Sequence, residues 1–175
     1  MMEFLIDQTV FVARVDYFHE LSDFAYTALE KKMPLQDRQY TSLKEEYVMD
    51  IPPKFSNWVC KTIDENFILH KPDSGIHGCY PKVSGMWTNR MRKGDQHFPH
   101  QHNKSFYSFV AYVKTTDNDA PFYFIKDNQG IPVHIDANSM ENILIFPSTL
   151  IHTVYPKQTD GDRISVSGNV IITGH

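Results

Sequence analysis

The sequence predicts one domain of mainly β structure, a β-sandwich or jelly roll with two helices packed on its outside. Two observations lead to this fold class. From Ile76 onward, short apolar runs alternate with clusters of turn-forming residues, a pattern typical of antiparallel strands. Before that point, two stretches carry apolar residues at helical spacing. We expect residues 1–75 to support a core formed by residues 76–175, and this core to carry the functional site.

The N-terminal part contains one predicted strand and two predicted helices. Residues 10–15 form an almost continuous apolar run, which indicates a strand. Residues 16–32 follow helical spacing and end in Lys31 and Lys32, which favour the C-terminus of a helix. A second helix is predicted to begin at the prolines Pro52 and Pro53 and to end near residue 69.

The C-terminal part is predicted to contain seven strands. Each break between them is rich in Gly, Asn, Asp or Ser, the residues that tight turns require. The predicted strands are residues 83–92, 105–114, 122–126, 131–135, 142–146, 152–155 and 163–173.

The composition excludes several classes of protein. Hydrophobic residues make up 41% and charged residues 22%, as in ordinary soluble globular proteins. The net charge of -4 gives no sign of binding to nucleic acid or to an anionic membrane. Cys60 and Cys79 lie outside any CxxC motif, and the N-terminus lacks the pattern of a signal peptide. We therefore expect a cytoplasmic protein, in the host cytoplasm if the chain is phage-encoded.

Three histidines form the most informative pattern in the chain. His100 and His102 are two positions apart, and His152 follows at the end of a later apolar run. Imidazole is the commonest transition-metal ligand, and residues two apart on a strand share one face. We therefore predict that His100, His102 and His152 bind one metal ion from two strands. Non-haem Fe(II) oxygenases use two histidines and one carboxylate, so His102 would leave the metal more positive, and zinc stays an alternative.

Arg163 is the predicted partner of an anion. A guanidinium group can hold a carboxylate with two parallel hydrogen bonds. Ser165 would share its face of a strand, Tyr112 has the same strand parity as the histidines, and Asn89 is a weaker candidate. In the alternative interpretation, Arg163 pairs with an aspartate of the preceding turn 160–162.

The order of these residues resembles the superfamily of 2-oxoglutarate- and Fe(II)-dependent oxygenases, and most of all its small phage and bacterial branch. The resemblance covers about residues 83–171. It rests on Trp87-Thr88-Asn89, Gly94, His100-x-His102, the run 108–113, Phe146-Pro147-Ser148, His152, Pro156 and Arg163-x-Ser165-x-Ser167-x-Asn169.

The resemblance implies a double-stranded β-helix that holds Fe(II) and 2-oxoglutarate, uses O2 and hydroxylates an unknown substrate while 2-oxoglutarate is converted to succinate. His100 and His152 would ligate the iron, and Arg163 would bind the cosubstrate with Ser165, Tyr112 and Asn89. His102 departs from the HxD/E pattern of the family. Three interpretations stay open: His102 is a third ligand, a carboxylate such as Asp95 or Asp136 completes the site, or the chain is an inactive member.

Two other functions compete with this interpretation. A cupin-like protein would hold a metal with three histidines and would not use 2-oxoglutarate, although the glutamate expected after the histidine pair is missing from residues 103–109. A non-catalytic jelly-roll module would carry its histidines by coincidence. His97 is expected in a loop, where it could act as a substitute ligand. Substrate and oligomeric state stay open.

Overall fold

The structure, a computed structural model, describes residues 2–6, 9–35, 41–67 and 78–174. Within these ranges the chain forms two antiparallel sheets and two helices. The elements are β1 (Met2–Leu5), β2 (Val10–Arg14), α1 (Phe18–Lys31), β3 (Glu45–Val48), α2 (Pro53–Asn66), β4 (Cys79–Met91), β5 (His97–His100), β6 (Tyr107–Lys114), β7 (Asp119–Lys126), β8 (Gln129–Ile135), β9 (Asn142–Pro147), β10 (Ile151–Val154) and β11 (Arg163–Gly174). The predicted mainly β class with two N-terminal helices is confirmed.

Seven strands form the larger sheet, in the order β1-β2-β9-β6-β11-β4-β3, and four form the smaller one, in the order β5-β10-β7-β8. The N-terminal strands β1, β2 and β3 thus hydrogen bond into the same sheet as the C-terminal strands. The division into a supporting part and a core at residue 75 stays a prediction. No helix in the described ranges is long and apolar enough to cross a membrane.

Both helices and all seven C-terminal strands lie close to their predicted positions. The predicted end of the second helix at residue 69 lies outside the described residues, since α2 ends at Asn66. Three short strands, β1, β3 and β5, were not predicted. The expectation that His97 lies in a loop is wrong, because it begins β5. Pro99 interrupts the local strand signal there, and proline is tolerated because β5 is an edge strand.

Two hydrophobic clusters hold the layers together. The first lies between the helices and the larger sheet, where Leu21 and Phe24 of α1 and Phe55 and Ile63 of α2 contact strand residues. The second fills the space between the two sheets. The helices are also linked directly, because the Glu20 carboxylate accepts a hydrogen bond of 3.0 Å from the backbone N–H of Phe55 at the start of α2.

The strand register positions the polar residues that the sequence pattern indicated as candidate site residues. In the smaller sheet, β10 lies between β5 and β7, and His152 is paired with His100. In the larger sheet, Ser165 of β11 is paired with Asn89 of β4 on one side and with Tyr112 of β6 on the other. The two sheets therefore present a histidine cluster and a polar row to the space between them.

We predict that any side chain at Gly168 in β11 destabilises the fold. A Cβ atom there would overlap the Phe109 ring and lie 2.8 Å from the carbonyl oxygen of Gly85, and a strand backbone cannot yield easily. Gly168→Ala should lower the free energy of unfolding by about 1–3 kcal/mol, measured by urea denaturation. Gly85→Ala is the matched control, since a Cβ atom there meets nothing within 4 Å. Equal stability of the two variants would contradict this view of the packing.

Candidate active site

The three predicted metal ligands lie together. One ring nitrogen from each of His100, His102 and His152 can be chosen so that all three lie within 4.8 Å of one another. The ring centroids of His100 and His152 are 4.3 Å apart. This separation follows from the direct pairing of the two residues across β5 and β10. Imidazoles at this spacing can share one metal ion.

His102 belongs to the cluster, but it does not lie on the same strand as His100. The spacing predicted His100 and His102 on one strand, but β5 ends at His100 and His102 lies just beyond it. The backbone N–H of His102 donates a 2.8 Å hydrogen bond to the carbonyl oxygen of Ser148. This bond ties the segment after β5 to the end of β9 and brings the third ring to the other two.

The hydrogen bonds of two rings suit metal binding. Nδ1 of His100 lies 2.7 Å from the carbonyl oxygen of Phe98, and Nδ1 of His152 lies 2.9 Å from that of Leu150. A carbonyl oxygen only accepts, so each Nδ1 carries the proton. Each Nε2 then carries the lone pair that a metal ligand needs. Backbone carbonyls therefore fix both the orientation and the tautomer of these two rings.

The pKa values of the cluster favour neutral imidazole. Burial, and then the neighbouring His100, lower the pKa of His152 well below 6.5. Burial also lowers the pKa of His100, lowers that of His102 to about 4 with a contribution from His100, and lowers that of His97 to about 3. The cause is the cost of desolvating an imidazolium beside other imidazoles. At neutral pH these rings are unprotonated, which is the form that binds metals.

No carboxylate joins the three histidines among the residues that the structure describes. The Asp95 carboxylate accepts a 2.8 Å hydrogen bond from the backbone N–H of Arg92 in a turn. Asp136 caps a 3₁₀ turn at Ala137–Ser139, where it accepts from the N–H of Asn138. Neither Asp95 nor Asp136 belongs to the described histidine cluster, and the choice among the three interpretations of the metal site stays a prediction.

Arg163 is buried at the first position of β11, with 3% of its surface exposed. Nη1 donates to the carbonyl oxygen of Ala120 and lies 3.8 Å from Oδ1 of Asp119, and Nη2 lies 3.0 Å from the sulfur of Met91. Its guanidinium carbon is 6.0 Å from the centre of the Tyr112 ring. Arg163 is thus a buried cation held by residues distant in sequence.

The alternative partner for Arg163, an aspartate of the preceding turn, is wrong. Asp160 pairs with Lys93, and Asp162 pairs with Arg90 and Arg92 on the outside of the sheet. The turn carboxylates therefore neutralise other cations.

The histidines and Arg163 line one cavity of about 380 Å³ between the sheets. The other predicted residues, Ser165, Tyr112 and Asn89, line it as well. Within the described part of the chain, the Tyr112 hydroxyl has no hydrogen-bond partner although it is buried. Burial raises the pKa of Tyr112, so the hydroxyl keeps its proton and can donate. A buried donor without a partner, next to a guanidinium group, is suited to an anionic ligand.

Within the described ranges, Asn89 presents an unpartnered acceptor, whereas Tyr112 presents an unpartnered donor. Its Nδ2 donates a 2.9 Å hydrogen bond to the Ser167 hydroxyl, and its Oδ1 has no partner among the described residues. An amide oxygen accepts hydrogen bonds, so in this orientation Asn89 suits a ligand N–H or O–H rather than a carboxylate. Its assignment to the cosubstrate stays a prediction.

Three buried charged residues near the site were not found from the sequence. Glu46 of β3 lines the cavity, and Asp119 and Lys157 lie behind Arg163. Asp119 has the signature of a turn residue and Lys157 that of an exposed loop residue. Neither Asp119 nor Lys157 carries a local pattern that predicts burial, because the contacts that bury these two side chains come from distant parts of the chain.

Part of the chain matches a known family. Residues 85–142 match the family model described as "Putative 2OG-Fe(II) oxygenase". No curated protein matches the sequence.

Several solved structures share the fold of this chain. An oxidoreductase of the 2OG-Fe(II) oxygenase family from Burkholderia pseudomallei is 12% identical, with a TM-score of 0.63, and the match covers 93% of this chain and 84% of that one. The viral collagen prolyl hydroxylase of Paramecium Bursaria Chlorella virus-1, in a 2OG complex, is 14% identical, with a TM-score of 0.59 and coverages of 91% and 94%. HygX from Streptomyces hygroscopicus, with nickel, 2-oxoglutarate and hygromycin B bound, is 12% identical, with a TM-score of 0.62 and coverages of 94% and 83%. The predicted jelly-roll fold is confirmed.

We predict that acid destabilises the metal-free protein before its carboxylates begin to titrate. His152 has a depressed pKa in the folded state, so below about pH 6.5 the unfolded chain binds protons that the folded protein does not. The free energy of unfolding should fall between pH 7 and pH 5, measured by urea denaturation at each pH. His152→Phe, which places a ring among Phe122 and Phe146, should make this slope shallower. If the free energy of unfolding falls equally steeply with pH in the unaltered protein and in His152→Phe, His152 is not held neutral in the folded state.

Proposed function

We propose, from the match of residues 85–142 to the 2OG-Fe(II) oxygenase family model and from the shared fold, that this protein is an oxidoreductase that hydroxylates a C–H bond of an organic substrate. In the overall reaction, substrate, O2 and 2-oxoglutarate give hydroxylated substrate, succinate and CO2. The single observation that supports this most strongly is the convergence of His100, His102 and His152 at a cavity that also contains Arg163. Fold alone would not justify an activity, because one fold carries many functions.

The residues present fit a divalent metal ion. Two of the three rings have their Nδ1 protons directed to carbonyl oxygens, and all three have lowered pKa values. His100, His102 and His152 would hold the ion, which when bound supplies the redox chemistry for O2 and 2-oxoglutarate. The structures of HygX with iron bound and with nickel bound are consistent with such a site in this fold.

The protein's own contribution is to orient the reactants and exclude water. Arg163 would bind the far carboxylate of 2-oxoglutarate, and the Tyr112 and Ser165 hydroxyls would donate further hydrogen bonds to it. All three side chains are buried, so the anion would be held where electrostatic interactions are stronger than in water. Phe122 and Phe146 pack on His152 and shield that side of the cluster from solvent.

The substrate is proposed only at the level of a C–H bond. Of two proteins that share this fold, one is named a viral collagen prolyl hydroxylase, and the other, HygX, has hygromycin B bound. This difference shows that the fold does not choose between a peptide and a small molecule. We propose no nucleic-acid partner, in keeping with the net charge of -4.

Three neutral ligands also suit a cupin-like metal site, which is the second candidate function. The absence of a carboxylate from the described cluster favours it, and Arg163 beside the unpartnered Tyr112 hydroxyl favours the oxygenase. Release of succinate from 2-oxoglutarate under air, dependent on Fe(II), separates the two. Metal binding without succinate release would support the cupin-like function.

We predict that the protein binds Fe(II) and 2-oxoglutarate together and that His152 is required for both. Anaerobic titration should give a weak visible charge-transfer band and raise the melting temperature, since a ligand that binds only the folded state stabilises it. His152→Ala should abolish the band. His134→Ala is the matched control, because His134 lies on β8 of the same sheet but is exposed. The absence of a band and of metal uptake by the unaltered protein would end the proposal.

We also predict that Arg163 acts on the cosubstrate and not on the metal. Arg163→Met should weaken 2-oxoglutarate binding by at least about 30-fold, the effect of losing about 2 kcal/mol from a charged hydrogen bond. Iron content, measured by elemental analysis, should stay near that of the unaltered protein. A parallel loss of iron and of 2-oxoglutarate would instead show that Arg163 maintains the fold.

A further inference from the structure

A buried ion cluster lies behind Arg163 and outside the cavity wall. Lys157, in the loop between β10 and β11, and Asp119, the first residue of β7, both have side chains with 0% exposure. Neither belongs to the residues that line the cavity. Lysine is almost never buried to this extent unless it is paired, so the burial of Lys157 requires a physical explanation.

Asp119 shares one carboxylate oxygen between two cations. Its Oδ1 is 3.5 Å from Nζ of Lys157 and 3.8 Å from Nη1 of Arg163. The carboxylate is also fixed by the backbone, since Oδ1 accepts from its neighbour Ala120 and Oδ2 accepts from the N–H and the hydroxyl of Thr116. Asp119 therefore stays in place whichever cation it neutralises.

The other contacts of Lys157 are neutral. Nζ donates to the hydroxyl of Thr159 at 2.5 Å, to its carbonyl oxygen at 3.1 Å and to the Thr116 hydroxyl at 3.3 Å. The backbone is held independently, because the Lys157 carbonyl accepts from the N–H of Gly94 and its own N–H donates to the carbonyl of Asp95. Removing the ammonium group should thus leave the path of the loop intact.

Counted over Arg163, Lys157 and Asp119 alone, two positive charges and one negative charge give this cluster a net charge of +1. An uncompensated buried charge is costly, and Arg163 is the member that faces the cavity. We propose that Lys157 is a positioning residue for 2-oxoglutarate: it neutralises Asp119, so that the charge of Arg163 stays available for the far carboxylate. This inference rests on the proposed function. Without Lys157, Asp119 would neutralise Arg163 and the anion would have no charge to meet.

The test is a series of charge variants with two ligands. Binding of 2-oxoglutarate and of 2-oxopentanoate, which lacks the far carboxylate, is measured by calorimetry on the Fe(II)-loaded protein without oxygen. The Kd of 2-oxopentanoate divided by the Kd of 2-oxoglutarate is the ratio that isolates the contribution of the far carboxylate. Lys157→Met should reduce this ratio by about tenfold, within the usual range of coupling between adjacent charges. Asp119→Asn should keep the ratio at or above that of the unaltered protein.

The double variant Lys157→Met/Asp119→Asn separates charge from structure. It removes one positive and one negative charge, so the cluster again carries the single charge of Arg163, and the ratio should return to within about threefold of the original. Lys93→Met is the matched control. It removes the exposed partner of Asp160 from a neighbouring turn, and it should leave the ratio unchanged because exposed ion pairs are screened.

Each outcome has a defined meaning. An unchanged ratio in Lys157→Met overturns the inference, and so does a loss that the double variant fails to restore, because Lys157 would then be purely structural. If Arg163→Met itself leaves the ratio unchanged in a folded, iron-loaded protein, the cosubstrate role of Arg163 fails instead. Restoration in the double variant, with Lys93→Met unchanged, supports the inference.

Discussion

The site depends above all on the antiparallel pairing of β5 with β10. This pairing sets His100 directly opposite His152 and so brings together residues that are 52 positions apart in sequence. The third ring follows through the hydrogen bond from the backbone of His102 to Ser148, which joins the segment after β5 to the end of β9. A slip of one residue would turn one histidine to the other face of the sheet, and the cluster would no longer exist. The register therefore determines the geometry of the candidate metal site.

Burial has opposite consequences at the two ends of the cavity. At the histidine end, it removes charge: desolvation lowers the pKa of His152 well below 6.5, and no carboxylate among the described residues joins the cluster. At the other end, charge is kept: Arg163 remains a cation and is surrounded by a carbonyl oxygen, a sulfur atom and a shared carboxylate. A dianionic ligand that places one end near each group would meet unprotonated metal ligands and a fixed cation. The polarity of the cavity thus follows from where the fold supplies counter-charges.

Much of this arrangement could be predicted from the sequence because its signals are local. Helical spacing located α1 and α2, and strand patterns located β4 and β6 to β11. The spacing of His100, His102 and His152, followed by Arg163, was enough to predict which side chains meet. Strand parity also indicated Ser165 and Tyr112, and both line the cavity, as does the weaker candidate Asn89.

The remainder could not be predicted because it depends on contacts between distant segments. The strands β3 and β5 are short, and their pairing partners are far away in sequence. Asp119 and Lys157 are buried only because the loop before β7 meets the loop before β11, and composition indicates an exposed turn at both places. The same holds for Arg163, whose partner is Asp119 rather than the aspartates beside it in sequence. Long-range burial of charge leaves no periodic signal.

The central claim, that three imidazoles bind one metal ion, is tested most directly by X-ray absorption spectroscopy of the Fe(II)-loaded protein prepared without oxygen. Multiple scattering from imidazole rings reports how many histidines are bound to the iron. The claim predicts three rings in the unaltered protein and two in His102→Ala. A spectrum with oxygen ligands and at most one imidazole, or one that does not change in His102→Ala, would contradict it.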